Sequence, residues 1–382
     1  MDKPKGWDDR RHGAGAVLLP DAVFDGHSLH PGLAVRVTGD GLAADPVAPR
    51  EGDLVWRLPG CLGPGFIDLQ VNGGGGVLFN NSPDPAGLRA IGRAHRSTGT
   101  AALLATLITD APEVMVRAVD AVLDGLGQDG IAGIHLEGPH ISLARRGTHD
   151  ARFIRPLDDQ TLGQVARLRD KGVPVMVTVA PEATTPGQIA ALVAKGVVVA
   201  LGHSDATAAQ VRAALAEGAQ TFTHLFNAMS QMQNREAGVV GAAINSTAYC
   251  SIICDGIHVA PEMLALAIRA RPRDNRMILV SDAMPTVAGP DSYRLYDQTI
   301  RLQDDRLVNQ DGALAGAHVT MLQSVRLAHE LLGQSLEECL RMAITRPAAL
   351  MGFAPRADLW RQPSDDVILI APDLTAFSRP LL

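Results

Sequence analysis

The stretch VVVALGHSDATAAQVRAALAEGAQTFTHLFNAM, residues 197–229, predicts two apolar strands separated by one amphipathic helix. The strands are Val197–Ser204 and Gln220–Met229, and the helix is Ala208–Glu217. Each strand ends beside a histidine, His203 in the first and His224 in the second. A strand, a crossover helix and a second strand of this length indicate a parallel pair.

The same alternation extends in both directions along the chain. The other predicted strands are Cys61–Asn72, Thr100–Thr109, Ile131–Gly138, Val173–Glu182, Ala248–His258 and Arg276–Ala283. The other predicted helices are Pro85–Thr98, Pro112–Leu126, Gln160–Lys171, Pro186–Lys195, Pro261–Ala270, Met321–Leu332 and Leu336–Thr345. Eight strands alternating with helices predict an α/β fold, a (β/α)8 TIM-like barrel.

The two ends of the chain differ from the middle. Short β-like pieces separated by Gly, Pro and Asp occur before residue 58, at Ala16–Leu19, Leu33–Thr38 and Leu54–Arg57, and the tail has one clear strand, Asp366–Ile370. We expect a small β-sandwich-like domain built from both termini. The predicted boundaries are 1–58 for its N-terminal part, 59–350 for the hydrolase barrel and 351–382 for its shortened C-terminal part.

Composition excludes several classes of protein. A net charge of −7 argues against nucleic-acid binding, which normally needs a basic face. No apolar run reaches the roughly 18–20 residues of a membrane span, and Met1–Arg11 has no apolar signal segment. The four cysteines form no CxxC pair, and we interpret Cys250 and Cys254 as core residues. We therefore expect a cytoplasmic protein in a reducing compartment.

Polar residues cluster at the predicted carboxyl ends of the strands, where barrel enzymes carry their active sites. These residues are Gln70, Asn72, Glu137, Glu182, His203, His224, His258 and Asp282. One such residue is easily a satisfied core group, but burial without a partner is costly. Their recurrence at one end of the barrel favours a single site.

Glu137, His203 and His224 supply one carboxylate and two imidazoles, a common set for catalytic zinc with an open position for water. The alternative is three unrelated buried polar residues. Asp282 suits a general base beside water activated by a metal, although an aspartate at this place also caps turns.

The remaining histidines and one glycine run carry weaker signals. We interpret His12, His27, His30, His95 and His329 as non-functional, because a histidine on a helix or in a flank is usually solvated or capped. His135 faces the barrel interior, either as support for the metal site or as core, and His140 has no assigned role. The run Gly73–Gly76 lacks the Lys and Ser/Thr of a phosphate loop, so we expect a flexible loop beside the site.

The chain resembles the N-acetylglucosamine-6-phosphate deacetylases of the amidohydrolase superfamily. The matching motifs are PGFIDLQVNG from Pro64, HLEGPHI from His135, RGTHD from Arg146, APE from Ala180, GHSDAT from Gly202, THLFNAMS from Thr223, REAG from Arg235, DGIHV from Asp255, LVSDAM from Leu279 and LAGAHVTM from Leu314. They run in order from residue 60 to residue 350. The pair HLFNAM and DGIHV is the most specific.

The resemblance implies a role for each matched residue. Glu137, His203 and His224 would bind one divalent metal per subunit, Zn²⁺ before Fe²⁺, Mn²⁺ or Co²⁺; Asp282 would be the general base and acid, and His149 would polarise the acetyl carbonyl. The substrate, a sugar phosphate, would meet Asn227, Ala228, Arg235, His258, Leu314, Ala315 and Gly316. In this family the arginine often acts across a dimer interface, so the resemblance also implies a homodimer.

Three departures from the family pattern matter. Gln70 and Asn72 stand where most amidohydrolases have His-x-His for a second metal, and neutral amides are poor transition-metal ligands, so these positions are vestigial. His318 replaces a small residue next to the predicted acetyl pocket, which bears on the acyl group accepted. The tail lacks most of the family's usual terminal strand and loop.

The sequence leaves open the substrate of the enzyme and also the class of protein. The sequence does not separate N-acetylglucosamine 6-phosphate from its galacto epimer, and another N-acyl compound is a further possibility on the same barrel. A non-catalytic amidohydrolase-like scaffold is the alternative of a different class, since the His-x-His pair is missing. A serine hydrolase is disfavoured because the G-x-S-x-G motif is absent.

Overall fold

The computed structural model describes residues 16–38, 41–43, 49, 51–310 and 312–381. His12 and the segment Met1–Arg11 lie outside the described residues, so the interpretations made for them stay predictions. Among the described residues, no helix combines the length and apolarity that crossing a membrane requires.

Eight parallel strands form one sheet in sequence order, as the alternating pattern predicts. We number them barrel strands 1 to 8: Phe66–Val71, Thr100–Ile108, Ile131–Glu137, Val175–Val179, Val198–Leu201, Thr221–Phe222, Tyr249–Ile253 and Met277–Val280. A parallel bridge between Val71 and Ala283 joins the last strand to the first, and the Asn72 and Gly73 N–H groups both donate to the Ala283 carbonyl. The sheet is thereby closed into a barrel.

Helices cover the outside of the barrel. They are Pro85–Arg96, Pro112–Gly125, Asp159–Asp170, Gln188–Ala194, Ala208–Ala216, Gly238–Ile244, Pro261–Ala270 and Met321–Leu332. Side-chain caps fix several starts: Thr207 with Gln210, and Thr320 with Gln323, each form a reciprocal capping box. The sequence pattern does not predict Gly238–Ile244, a seven-residue helix that is buried throughout and has no side-chain cap.

The predicted helix Leu336–Thr345 is irregular in the structure. An α-helix covers Leu336–Leu340, a π-helical turn covers Arg341–Thr345, and an α-helix resumes at Arg346–Met351. Short helical turns occupy Leu143–Arg145, Ala151–Phe153, Pro181–Ala183, Asp274–Arg276, Ala354–Ala357, Leu359–Arg361 and Ser364–Asp366.

Both ends of the described chain contribute to a second sheet of seven strands, separate from the barrel. Its order is Phe377–Ser378, Val367–Ile370, Val55–Pro64, Val17–Phe24, Val35–Thr38 and Gly41–Leu42, with Leu29–Pro31 beside Val17–Phe24. Leu18, Leu62 and Val367 are fully buried in its apolar cluster. The tail supplies two strands where the sequence predicts one, and the domain boundaries stay predictions.

A three-stranded antiparallel sheet is inserted between barrel strand 8 and helix Met321–Leu332. Its strands are Ser292–Leu295, Gln298–Gln303 and Arg306–Val308. Tyr293, Ile300 and Leu307 bury their side chains in an apolar cluster with Ile108 and Met284, both from the carboxyl end of the barrel. The inserted sheet therefore packs onto the end of the barrel where the polar residues lie.

Candidate active site

Four of the predicted polar residues meet at the carboxyl end of the barrel. Glu137 is the last residue of barrel strand 3. His203, His224 and Asp282 each lie two residues beyond barrel strands 5, 6 and 8. All four are buried in one pocket, because the strands that carry them end at the same rim.

Three of these residues have a left-handed backbone, with φ of 47° at His203, 32° at His224 and 51° at Asp282. Such a conformation is unfavourable for residues other than glycine, at about 1–3 kcal/mol each, and it concentrates at functional sites. The turn after each strand directs the side chain over the barrel mouth.

Glu137, His203 and His224 converge on a common point. Glu137 Oε1 lies 2.9 Å from His224 Nε2 and 3.3 Å from His203 Nε2, and the two Nε2 atoms are 3.1 Å apart. Ligands of a tetrahedral zinc ion, each at about 2.1 Å, are separated by roughly 3.4 Å. The three donor atoms therefore fit a cation with little movement.

The second ring nitrogen of His203, Nδ1, also has a hydrogen-bond partner. Its Nδ1 lies 2.9 Å from the Arg145 carbonyl oxygen, which can only accept, so Nδ1 carries the proton and Nε2 presents its lone pair to the cluster. His224 Nδ1 is buried and has no hydrogen-bond partner among the described residues.

His149 joins this cluster from the loop after barrel strand 3. Its ring centroid is 4.4 Å from that of His203. Glu137, His149 and His203 form a group whose possible ligand atoms all lie within 4.8 Å of one another, so the cluster of histidines and glutamate could hold a metal ion. His149 Nδ1 is already engaged, 2.7 Å from Thr109 Oγ1.

Burial and mutual charge shift the pKa values of these groups in opposite directions. Burial, reinforced by the nearby Glu137, raises the pKa of Asp282 to about 6. Burial opposes ionisation of Glu137 as well, but hydrogen bonds from His203 and His224 outweigh it and hold the pKa of that carboxyl well below its usual value. Burial, with the neighbouring His203, holds the pKa of His149 well below the usual histidine value, so His149 is neutral.

Gln70 and Asn72 act as donors to the carboxylates. Gln70 Nε2 lies 2.9 Å from Glu137 Oε1 and 3.0 Å from Asp282 Oδ1, and Asn72 Nδ2 lies 2.7 Å from the same Asp282 oxygen. Their amide oxygens are buried without a partner among the described residues. An amide N–H group donates to a carboxylate and does not ligate a cation, so these two side chains act here as hydrogen-bond donors to Glu137 and Asp282.

The pocket around this cluster includes most of the residues predicted to bind substrate. It is lined by Ile108, Glu137, Gly147, Thr148, His149, His203, His224, Asn227, Ala228, Ile253, His258, Asp282, Met284, Leu314 and Gly316. His258 is fixed by Asp255, whose Oδ2 lies 2.6 Å from His258 Nδ1. Because a carboxylate only accepts, His258 Nδ1 carries a proton toward Asp255.

Comparison with known proteins agrees with this geometry. The model of the amidohydrolase family matches residues 62–358. The chain belongs to the amidohydrolase family. An N-acetylgalactosamine-6-phosphate deacetylase of Shewanella sp. is 43% identical over 293 residues, which are 76% of this chain and 74% of that protein. An N-acetylglucosamine-6-phosphate deacetylase of Haemophilus influenzae is 32% identical over 298 residues, 76% of this chain and 77% of that protein.

Two solved structures extend the likeness to the whole fold. The N-acetyl-D-glucosamine-6-phosphate deacetylase of Mycobacterium smegmatis is 33% identical, with a TM-score of 0.84 over 96% of this chain and 98% of that one. The N-acetylglucosamine-6-phosphate deacetylase of Pasteurella multocida is 30% identical, with a TM-score of 0.83 over 94% and 96% of the two chains.

Some predicted residues lie outside the pocket of this amidohydrolase. Arg235 is exposed on the loop before helix Gly238–Ile244 and does not line the described pocket. Ala315 is fully buried, and its backbone is used by Leu307 and by the Tyr293 hydroxyl. Glu182 accepts hydrogen bonds from Ser204 Oγ and the Asp205 N–H instead of facing the pocket.

His318 does not contribute to the pocket lining either. Its Nδ1 lies 2.9 Å from Thr286 Oγ1, and it is not among the residues that line the described pocket. Its neighbour Gly316 lines the pocket directly. An effect of His318 on the acyl group would therefore pass through Thr286 or the backbone.

Three other histidines have structural contacts. His135 is buried in the barrel interior, with Nε2 2.7 Å from Thr178 Oγ1, and burial lowers its pKa to about 4. His140 bonds Thr161 Oγ1 and the Arg155 carbonyl. His95 Nε2 donates to the Gly73 carbonyl at 2.9 Å. The Gly75 and Gly76 N–H groups donate to the Val287 and Pro285 carbonyls, so the glycine run is a hydrogen-bonded turn, and the flexibility that the sequence predicts for it stays a prediction.

Two residues beside His149 were not predicted from the sequence. Thr109, the first residue after barrel strand 2, contacts the His149 ring, and the Tyr296 hydroxyl donates to the Thr109 carbonyl. A polar residue at the end of strand 2 was visible in the sequence. Tyr296 carried no such signal, because it lies in the inserted sheet and reaches Thr109 only through the fold.

Proposed function

We propose that this amidohydrolase removes the acetyl group from an N-acetylated amino-sugar 6-phosphate, giving acetate and the amino-sugar phosphate. The convergence of Glu137, His203 and His224 beside the buried Asp282 is the observation that carries this proposal. The names of the four similar proteins quoted above support the substrate class, since each of these four is a deacetylase of an amino-sugar 6-phosphate.

Glu137, His203 and His224 would hold one divalent cation. Two imidazoles and one carboxylate suit Zn²⁺ first, with Fe²⁺, Mn²⁺ and Co²⁺ as alternatives. A cation bound there supplies Lewis acidity, which lowers the pKa of water and polarises a carbonyl. Gln70 and Asn72 place N–H groups toward the carboxylates, so we propose one cation per subunit.

Asp282 would move the proton. Its Oδ1 already accepts from Gln70 and Asn72, which leaves Oδ2 to take a proton from the attacking water. The same oxygen would return that proton to the amide nitrogen as the C–N bond breaks. The amine then leaves in a neutral form with acetic acid as the second product, and the proton of the acid passes to the amine or to solvent to give acetate.

His149 and the pocket wall would orient the amide. A hydrogen bond from the neutral His149 ring to the acetyl carbonyl oxygen would stabilise the charge that develops there. Leu314, Gly316 and His258 line the pocket. The acetyl group would lie against the first two, and the sugar would lie near His258. Fixing the amide in this way raises the rate because the reacting groups are already aligned.

The phosphate would bind at the Asn227 side chain and the Ala228 backbone, with Arg235 added from the partner of a homodimer. Asn227 and Ala228 line the pocket, while Arg235 of the same chain is exposed and outside it. An exposed arginine close in sequence to the phosphate site suits a contact across a subunit interface. The proposed role of Arg235 therefore requires the homodimer.

The galacto epimer is the second candidate substrate. The identity of 43% to the Shewanella N-acetylgalactosamine-6-phosphate deacetylase favours it, whereas the N-acetylglucosamine-6-phosphate deacetylase of Haemophilus influenzae is 32% identical. The two sugars differ only at C4, so both present the same acetamide and the same phosphate to the site.

The deciding experiment measures acetate release by Zn²⁺-loaded protein. The substrates are N-acetylglucosamine 6-phosphate, N-acetylgalactosamine 6-phosphate and each sugar without phosphate. Release from a phosphorylated sugar, with a large preference over its unphosphorylated form, supports the proposal, and the ratio of kcat/KM values assigns the epimer. A zinc-loaded protein that releases acetate from none of the four contradicts it and favours another N-acyl substrate or a scaffold.

A further inference from the structure

Thr109 makes two contacts with Nδ1 of His149. Its Oγ1 lies 2.7 Å from His149 Nδ1, and its backbone N–H points at the same nitrogen, with an N···N distance of 3.4 Å. Both residues are buried, Thr109 fully and His149 with 4% of its surface exposed. Water therefore does not compete for these contacts.

The backbone contact determines which nitrogen carries the ring proton. A backbone N–H can only donate, so His149 Nδ1 must present a lone pair to it. The Thr109 hydroxyl, as donor, adds a second and shorter hydrogen bond to the same lone pair. An imidazole whose Nδ1 accepts has its proton on Nε2, the other ring nitrogen.

Thr109 is itself held by the inserted sheet. Tyr296 lies between strands Ser292–Leu295 and Gln298–Gln303, and its hydroxyl donates to the Thr109 carbonyl oxygen. The Tyr296 side chain packs against the apolar cluster that joins the inserted sheet to the barrel. The backbone of Thr109 is thus fixed from one side by barrel strand 2 and from the other by Tyr296.

We propose that Thr109, held in place by Tyr296, is a positioning residue that fixes His149 as the tautomer protonated on Nε2. In that form His149 donates a hydrogen bond to the substrate carbonyl and is not a ligand of the cation through Nε2. The proposal deepens the proposed function and rests on it for the identity of the carbonyl. The tautomer itself is a property of the protein alone.

The competing arrangement makes His149 a metal ligand. His149 lies with Glu137 and His203 in a group whose possible ligand atoms are within 4.8 Å of one another. A ligating imidazole nitrogen must be unprotonated. The proton on Nε2 therefore separates the two arrangements, and it can be observed without any substrate.

The first test is nitrogen NMR of the full chain with ¹⁵N-labelled histidine, with and without Zn²⁺. The His149 signals are assigned by their disappearance in His149→Gln. We expect a protonated Nε2 and an unprotonated Nδ1 in both samples, and a mixture of tautomers in Thr109→Val. A proton on Nδ1, or loss of the Nε2 proton when Zn²⁺ is added, overturns the proposal.

The second test is kinetic and uses the better of the two phosphorylated substrates. Thr109→Val should lower kcat and kcat/KM together by about 10–100-fold, as loss of an orienting hydrogen bond does, with unchanged zinc content. Thr109→Ser, which keeps the hydroxyl, should restore most of the activity. Tyr296→Phe should lower kcat in the same direction.

Thr100→Val is the matched control. Thr100 is buried at the opposite end of the same strand, and its Oγ1 has no hydrogen-bond partner among the described residues. We expect it to keep wild-type kcat. Equal losses in Thr100→Val and Thr109→Val, or full activity in Thr109→Val, overturn the proposal. A wild-type protein that releases no acetate contradicts the proposed function instead, and the NMR result still decides the tautomer.

Discussion

Asn72 donates its side-chain N–H to Asp282 Oδ1 at 2.7 Å, across the seam where the first and last barrel strands meet. One residue before Asn72, Val71 bridges Ala283 and closes the barrel. The contact that closes the sheet and the contact that orients the predicted base are therefore neighbours. Distortion of this seam would move Asp282 relative to Glu137, and with it the whole cluster.

Asp282→Asn should abolish turnover without loss of the metal. The asparagine keeps an oxygen that accepts from Asn72 and Gln70, but it cannot take a proton, so kcat should fall by about 10²–10⁴-fold. Acetate release and zinc content of the same sample are the measurements. Asp297→Asn, at an exposed position in the inserted sheet, is the control. Activity within a few-fold of wild type would remove Asp282 from the role of base.

His203→Gln should lose the cation. The substitution removes the Nε2 lone pair that faces Glu137 and His224, and two remaining ligands hold a divalent ion weakly. Zinc bound per chain after dialysis, measured by mass spectrometry, should fall from near one to near zero. His329→Gln, at an exposed position on helix Met321–Leu332, should keep its zinc. Full retention in His203→Gln would exclude His203 as a ligand.

Gly316→Ala should lower kcat/KM by more than the backbone strain of the substitution alone would. Gly316 has φ of 73°, and a Cβ there would lie 2.4 Å from Met284 Cε, so Met284 must move within the pocket wall. Gly312→Ala is the matched control, with φ of 77° and nothing within 4 Å. We expect a lower kcat/KM only for Gly316→Ala, with both variants folded by circular dichroism. Equal kinetics would show that Met284 adapts freely.

Arg235→Ala should weaken binding of the phosphorylated substrate alone. A hydrogen bond to a charged group contributes about 1.5–3 kcal/mol, so KM should rise about 10–100-fold. KM for the unphosphorylated sugar should not change, and Arg269→Ala, on an outer helix, should behave as wild type. The mass of the native protein by light scattering tests the dimer in parallel. An unchanged KM would leave Arg235 as an ordinary surface residue.

Asp68→Asn should change how stability depends on pH. Burial raises the pKa of Asp68 to about 7 although Ser281 and the Gln70 N–H donate to it. The folded protein therefore favours the protonated form, and its contribution to stability, complete below the unfolded pKa near 3.8, is lost as pH rises through 7.

The measurement is the free energy of unfolding by urea at pH 5 and at pH 8. Between pH 5 and pH 8, the free energy of unfolding should fall by on the order of 2 kcal/mol more in wild type than in Asp68→Asn, because only wild type ionises the buried carboxyl. Asp373→Asn, at an exposed position in the tail, is the control. Parallel curves for wild type and Asp68→Asn would mean that Asp68 is ionised at both pH values.

The sequence predicted the barrel because its evidence is local. Apolar runs such as that of barrel strand 5 are encoded in adjacent residues, and so are amphipathic helices such as Pro261–Ala270, which has apolar periodicity and a proline in its first turn. The buried helix Gly238–Ile244 was missed for the same reason, since it has neither a polar face nor a capping side chain. The three-stranded insertion was missed because its strands are stabilised by packing onto the barrel.

The candidate site was predictable only in part. Glu137, His203, His224 and Asp282 share a position at strand ends, and a barrel necessarily brings strand ends together. Arg235 and Ala315 have no such geometric link to the pocket, and the structure places both outside it within the described chain. Loop conformation decides where such residues lie, and loops are specified by contacts with distant parts of the chain.

The sequence by itself determined the barrel, the residues at its carboxyl end and the absence of a His-x-His pair at Gln70 and Asn72. These follow from residue types and their spacing along single elements. Only the tertiary structure decided which way those amides point, that Thr109 and Tyr296 hold His149, and that His318 turns toward Thr286. Each of these is a hydrogen bond between residues far apart in the chain, and its geometry exists only after the backbone has closed.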